Sequence, residues 1–256
     1  MSVTYFHDLE QRSPAWHDLR RGMITASEMS KIITPTLKIA ANAQTKQHLY
    51  DLLAQRITGH TEDHFVGYAM ERGQLEETDA RIAYTKELAE VKECGFVIND
   101  DLGFPIGYSP DGLVGERGQI EIKSRLAKFQ VQTIVDHIAD RVITENETRV
   151  ENGVEIVTVP DPAKPLAPVE FMLQIQTGLF VTGRDWCDFT SYSNGLNMAV
   201  MRVVPIDTYF EAIEKGAKEF EAAIKAGGEK YAAALQRADT RIFPVVRQDY
   251  SEEIAA

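Results

Sequence analysis

The chain is predicted to be an α/β protein of the α+β kind, with a central mixed β-sheet flanked by helices and an inserted β-hairpin. Three observations predict this. Apolar residues recur at helical spacing up to about residue 90, short β-like runs punctuated by Gly and Asp fill residues 91–124, and helices alternate with paired strands thereafter. At 256 residues, 44% hydrophobic and 26% charged, a single domain over 1–256 is expected. Its core would cover about 12–205, with the hairpin insert at about 142–159 and a C-terminal helical region at 207–256.

Thr25-Ala26-Ser27-Glu28 has the capping-box pattern and predicts a helix start leading into Met29–Ile33. Leu49, Leu52, Leu53 and Ile57 form a helical stripe over Thr45–Ile57 that Gly59 closes. Tyr68–Leu88 reads as a helix setting Met70, Leu75, Ala80, Ile82, Ala83 and Tyr84 against the acidic Glu76, Glu77 and Asp79. Strands are predicted at Val91–Ile98, Gly103–Tyr108, Gly112–Val114 and Gln119–Ser124. A helix over Ala127–Ile138 follows, then a hairpin over Val142–Val159 turning at Asn152-Gly153. Val169–Val181 suits a helix, and Trp186–Ser193 and Ala199–Val204 suit strands. Asp207 is expected to cap a final helix with a core stripe of Phe210, Ile213, Ala217, Phe220 and Ile224, interrupted at Gly227-Gly228.

A formal net charge of −12 excludes a protein that coats nucleic acid by bulk electrostatics, though not one that focuses cations into a cleft. Arg20, Arg21, Lys123, Arg125 and Lys128 gather around the motifs described next. Cys94 and Cys187 are expected to be reduced core thiols. His60 and His64 have helical spacing for a zinc pair, but no third ligand is placed with them. Neither an 18-residue apolar run nor a basic-then-apolar start is present, so no membrane association and a cytoplasmic location are expected.

The chemistry concentrates in Ser109-Pro110-Asp111-Gly112 followed by Glu121-Ile122-Lys123. A hairpin through Gly115 and Gly118 would set the acidic groups side by side, with Glu121 and Lys123 on one strand face and Ile120 and Ile122 on the other. Two carboxylates suit a hard cation such as Mg²⁺, which polarises a phosphate and activates a bound water. A neighbouring Lys can orient or deprotonate that water, or stabilise charge building on phosphoryl oxygens. The set is therefore suited to metal-dependent phosphodiester cleavage. Bland readings exist as well: Ser-Pro-Asp-Gly is a sound type I turn, and Glu-x-Lys arises about once by chance in such a chain. Glu90-Val91-Lys92 is such a decoy.

Taken with Trp16-His17-Asp18-Leu19-Arg20-Arg21-Gly22-Met23-Ile24-Thr25-Ala26-Ser27-Glu28, these motifs resemble the YqaJ-type viral recombinase family of lambda-type exonucleases. Gly73–Arg81, Ser109–Leu113, Glu121–Lys123 and Gln174–Gln176 continue the resemblance in the family's order. It implies a restriction-endonuclease-like PD-(D/E)xK core. In that family's terms Asp111 and Glu121 would ligate one or two Mg²⁺ ions, for which Mn²⁺ can substitute, with the Ile122 carbonyl. Lys123 would act on the nucleophilic water, and Glu77 would join the acidic cluster and the metal from its helix. Gln174 would complete the catalytic set, and Arg20, Ser27 and Ser109 would hold a 5′-phosphate. Trp16 and His17 read as packing residues that position Arg20, with phosphate contact as the alternative role for His17. Each residue has a plainer alternative: a solvated helical Glu for Glu77, a surface ion pair for Arg20, a first-turn residue for Ser27, and a buried backbone-bonding amide for Gln174.

The resemblance further implies a 5′-to-3′ exonuclease that resects double-stranded DNA ends to 3′ overhangs for phage recombination. A ring-shaped homotrimer and a phage single-strand annealing protein as partner go with it. Another nuclease of the same core, or a non-catalytic DNA-end-binding protein, is the alternative. The interval from Lys123 to Gln174 looks longer than the lambda-type pattern, and the 142–159 hairpin accounts for the excess.

Overall fold

The computed structural model describes residues 3–62, 68–139, 148–151, 154–157, 167–239 and 241–248. Strand β1 (Val3–Phe6) leads to helix α1 (Pro14–Arg20), whose start is set by Ser13 accepting from the Trp16 N–H and by Pro14 in the first turn. Strand β2 (Ile24–Thr25) runs into a 3-10 segment, Ala26–Lys31. The capping box predicted there does not form. The Thr25 hydroxyl donates to the Glu28 carboxylate at 3.2 Å instead of accepting from the backbone, and the 3-10 segment stops at Lys31.

Helix α2 (Ala43–Thr58) begins two residues before the predicted Thr45, because the Asn42 side chain accepts the Thr45 N–H. Gly59 ends it in the left-handed conformation at φ 64°. Helix α3 (Tyr68–Glu87) has the predicted extent but a different buried face. Ala80 and Tyr84 are buried, whereas Leu75 is 73% and Ile82 63% exposed. Glu76 turns inward in their place, accepting a hydrogen bond from the Ser124 hydroxyl.

Strands β3 (Phe96–Asn99) and β4 (Ile106–Tyr108) are shorter than predicted. At Gly95 the chain passes so close to Leu9 that a Cβ would lie 1.8 Å from the Leu9 carbonyl oxygen. Strands β5 (Gly112–Val114) and β6 (Gly118–Ser124) form the predicted hairpin. Helix α4 (Ala127–Ile134) continues as a π-turn over Val135–Ala139. Strands β7 (Thr148–Glu151) and β8 (Val154–Val157) pair antiparallel, while the predicted turn at Asn152-Gly153 and the insert's flanks lie outside the described residues.

Helix α5 (Val169–Thr182) is followed by β9 (Trp186–Tyr192), β10 (Ala199–Val203) and α6 (Asp207–Leu235). Asp207 lies inside the first turn and is not the cap, which is Ile206 without a side-chain bond. Gly227-Gly228 does not break the helix, contrary to expectation. A Cβ on Gly227 would lie 3.0 Å from a Leu53 methyl, so the small residues let α6 lie close on α2.

The predicted central sheet is two four-stranded mixed sheets, ordered β1-β3-β4-β2 and β10-β9-β6-β5. Each contains one parallel pair, β2 with β4 and β6 with β9. Helix α5 is buried along most of its length and packs on β3, β4, β9, α6 and the 3-10 segment. On α6, Ile213, Ala217, Phe220 and Ile224 face the main core as the stripe predicts. A fully buried Ile or Phe of this kind contributes about 1.5–3 kcal/mol. Cys94 and Cys187 are buried free thiols.

Candidate active site

The β5–β6 ladder runs from Val114–Gly118 to Gly112–Ile120 and ends there, so Asp111 and Glu121 sit one step beyond its last pair. Strand alternation sends Ile120 and Ile122 into a small core with Ala80 and Tyr84 of α3, and Glu121 and Lys123 to the opposite face. The N–H and C=O of a strand residue point to the same edge. Past the end of the ladder, those of Ile122 have no strand partner on the β5 side. Asp111 fills that gap, its carboxylate accepting the Ile122 N–H at 2.6 Å.

Glu121 is 1% exposed, with both carboxylate oxygens engaged. Oε1 accepts from Lys123 Nζ at 2.6 Å and from Gln174 Nε2 at 2.6 Å, while Oε2 accepts from the Tyr108 hydroxyl at 2.8 Å. Lys123 also donates to Gln174 Oε1 at 3.1 Å, which closes a Lys123–Gln174–Glu121 triangle. Two residues on, Gln176 bonds the Val204 carbonyl and the Ile206 N–H. The Gln-x-Gln pair thus divides into one site residue and one structural residue.

Burial pushes the Asp111 carboxyl well above the usual carboxylate range, and Glu121 and Glu77 push it further. Burial alone would lower the Lys123 ammonium, but Glu121 and Asp111 outweigh it and hold it above its ordinary value. Glu77 lines the same cleft of about 380 Å³ as Asp111. Its carboxylate is clamped by arginines, Arg81 on Oε1 at 2.8 Å and Arg12 on Oε2 at 2.9 Å. Arg12 reaches it from a left-handed backbone at φ 69°.

Among the described residues no three His, Cys, Asp or Glu side chains gather as a metal cage. The donor chemistry still fits Mg²⁺, which binds through one or two carboxylates and keeps its waters. Asp111, Glu121 and the edge carbonyl of Ile122 would supply the oxygens, and the mutual repulsion raising Asp111 is what a cation there would relieve. His60 is described and contacts Arg247, whereas His64 lies outside the described residues.

Arg20, Ser27 and Ser109 are linked to one another through Thr25 and Trp16. Parallel pairing sets Thr25 beside Gly107, two residues before Ser109. The Arg20 guanidinium lies 4.1 Å above the Trp16 ring and reaches the Thr25 hydroxyl at 3.5 Å, and Thr25 is 3.3 Å from the Ser27 hydroxyl. The Trp16 indole N–H donates to Ser109 Oγ at 2.9 Å, which ties the ring beneath Arg20 to the turn after β4. His17 meets the Trp16 ring edge-on and is exposed. Burial draws the Arg20 pKa down and Glu28 partly offsets this. Glu28 itself pairs with Lys31 at 3.0 Å, so Arg20 has no carboxylate within ion-pair distance among the described residues. A half-buried guanidinium beside a hydroxyl, with no carboxylate within that distance, has the chemistry to hold an anion.

Reading the sequence missed Tyr108, Gln11 and the Arg12–Arg81 clamp. Gln11 donates to the Cys94 and Pro110 carbonyls and so fixes the turn between the two pockets. Tyr108 carried one available signal, its place next to Ser109 at the end of a predicted strand.

The family profile of the YqaJ-like viral recombinase domain matches residues 15–185. The chain belongs to this family. Its fold is shared with an alkaline exonuclease, LHK-Exo, from Laribacter hongkongensis, at 29% identity and TM-score 0.67, covering 87% of this chain and 100% of that one. The same enzyme in complex with dAMP aligns at 30% identity and TM-score 0.68 over the same shares. A phage-related exonuclease from Haemophilus somnus 129PT shares the fold at 11% identity and TM-score 0.51, over 84% of this chain and 96% of that one. No curated protein sequence matches the chain. No helix among the described residues is long and apolar enough to cross a membrane.

Proposed function

We propose that this protein is a Mg²⁺-dependent exonuclease that degrades one strand of linear double-stranded DNA from its 5′ end. The observation that carries the reading is the pairing of an acidic centre with a separate guanidinium–hydroxyl pocket, joined by the three residues Ser109-Pro110-Asp111. A pocket that registers a terminal phosphate next to hydrolytic groups suits cleavage counted from an end. The dAMP held by the Laribacter hongkongensis relative is a mononucleotide, the kind of product such cleavage releases.

When bound, Mg²⁺ would polarise the phosphate and lower the pKa of a bound water. Asp111 and Glu121 would hold it, with the Ile122 carbonyl. Lys123, donating to Glu121 and Gln174, keeps a positive charge where phosphoryl oxygens would gain negative charge. Gln174 holds both Lys123 and Glu121 from α5, and Tyr108 fixes the second oxygen of Glu121 from β4. Arg20, Ser27 and Ser109 would bind the 5′-phosphate. Glu77, between Arg12 and Arg81, sets the charge of the cleft wall beside Asp111.

The reading extends to a role in phage homologous recombination, a ring-shaped homotrimer, and a phage single-strand annealing protein as partner. A ring would retain DNA without strong surface attraction, in keeping with a chain of net charge −12. The deciding experiment digests end-labelled linear duplexes bearing 5′-phosphate or 5′-hydroxyl, together with closed circles, with and without Mg²⁺. Label should leave the 5′-phosphorylated end first, and circles should survive. Equal cutting of circles would establish the alternative, an endonuclease on the same core. A monomer mass by light scattering would remove the trimer.

A further inference from the structure

The geometry points to a second nucleotide site beside the acidic centre: an aromatic and basic platform of Phe129, Phe171, Arg125 and Lys128 that binds unpaired nucleotides of a DNA strand. It rests on the reading above that DNA is the substrate. The platform starts at Lys123, whose Nζ lies 5.5 Å from the centre of the Phe171 ring. Phe171 is anchored from behind, stacked on Phe189 at 5.3 Å. The Arg125 guanidinium then sits 5.0 Å from the Phe171 ring and 5.3 Å from the Phe129 ring, and Lys128 Nζ is 4.7 Å from Phe129.

This arrangement is held rigidly. The Arg125 N–H donates to the Tyr192 carbonyl at 2.7 Å, and its side chain, 11% exposed, reaches Glu170 at 3.3 Å. The Arg125 Nε is buried without a hydrogen-bond partner. Polar contacts fix the inner face of α4: Gln130 donates to the Ser191 and Asn197 carbonyls at 3.0 and 2.8 Å and accepts from the Ser191 hydroxyl at 2.6 Å. With α4 locked in that rotation, Phe129 is left 38% exposed and Leu126 47% exposed on the outer face.

The occupant follows from charge. A chain of net charge −12 gathers three cations around two aromatic rings here, and Lys128 forms no ion pair among the described residues. Rings flanked by cations suit flat bases on a phosphate backbone. Lys128 covers the ring face that a base would take, and its flexible stem lets the ammonium move aside onto the adjoining phosphate. Duplex DNA hides its base faces, so the ligand is an unpaired nucleotide from either strand at the point of separation.

The test uses the full chain in a chelating buffer, where no cleavage occurs, and measures fluorescence anisotropy with four labelled DNAs. These are a blunt duplex, a duplex with a 3′ extension, one with a 5′ extension, and a free single strand. Phe129→Leu should weaken binding to one extended duplex about ten- to a hundredfold while the blunt duplex changes less than about twofold. Phe129→Trp should restore it, and Lys128→Ala should weaken it and reduce the salt slope by about one. The extension that loses affinity identifies the strand. Equal affinity of Phe129→Leu and wild type for every DNA would overturn the platform, as would an equal loss on blunt and extended duplexes. Because binding is read without cleavage, Phe129-dependent binding by a protein that digests no linear duplex would keep the platform and overturn the exonuclease.

Discussion

The acidic centre and the guanidinium pocket lie on either side of Pro110, yet they are built in opposite ways. The acidic centre is local: Asp111, Glu121 and Lys123 come from one hairpin, with Gln174 added from α5. Burial, and after it the neighbouring Glu121 and Glu77, hold the Asp111 carboxyl well above its ordinary range, and Glu121 is held by three donors. The pocket is assembled from α1, β2 with the 3-10 segment, and the turn after β4, and among the described residues its guanidinium has no carboxylate within ion-pair distance. One half crowds buried carboxylates among their paired cations, and the other holds a guanidinium with no carboxylate within ion-pair distance among the described residues. A cation at the first would ease the crowding of its carboxylates and a phosphate at the second would pair with the guanidinium, so the proposed phosphorylated DNA end would engage both halves.

Breaking the acidic half should have the largest effect. Glu121→Gln or Lys123→Ala should cut Mg²⁺-dependent digestion of linear duplex by about a thousandfold or more, with the fold intact by circular dichroism. Full activity in Glu121→Gln would falsify the assignment. Breaking the other half should be selective: Arg20→Ala is expected to lower the rate on 5′-phosphorylated ends about ten- to a hundredfold and hardly alter that on 5′-hydroxyl ends. Equal losses on both ends would mean that Arg20 acts through structure alone.

Tyr108→Phe sharpens the comparison, since it removes one hydrogen bond to Glu121 with almost no change in shape. Burial and Glu121 hold the Tyr108 phenol well above its ordinary pKa, so it stays a donor. The variant should need about tenfold more Mg²⁺ for half-maximal rate, as the loss of a bond that orients a ligand predicts. An unchanged Mg²⁺ titration would show that Gln174 and Lys123 suffice to orient Glu121.

The smallest effect concerns the scaffold behind the pocket. His48 is 2% exposed and stacks on Phe220 at 5.4 Å. Burial lowers its pKa, Lys31 adds to that, and Glu28 and Asp51 oppose it. A histidine whose pKa is lower in the folded state takes up a proton more readily when unfolded. Its contribution to stability is therefore present above the unfolded pKa of about 6.5 and lost as pH falls below it. Thermal melting of wild type should decline between about pH 7 and 5 by more than that of His48→Gln. Parallel declines would place the acid sensitivity elsewhere.

Legibility in the sequence followed the range of the interactions. The β5–β6 hairpin was readable because alternation and two glycines are local properties, and α2 because its stripe and Gly59 are. The face of α3 was not: Leu75 and Ile82 look like core residues, but Ser124 on a distant strand takes Glu76 inward and leaves them in solvent. Gly227-Gly228 looked like a break, and only the closeness of Leu53 on α2 shows why small residues stand there. Thr25 and Glu28 spelled a capping box, yet parallel pairing to β4 drew the hydroxyl into the Arg20 pocket.

By itself, the sequence determined that two carboxylates and a lysine share one hairpin, because strand periodicity dictates which side chains lie together. Only the tertiary structure decided that Tyr108 and Gln174 hold Glu121, that arginines clamp Glu77, and that Arg20 lies against the Trp16 ring and the Thr25 hydroxyl. Those depend on which distant groups reach a charge once water is excluded, and no local pattern encodes that.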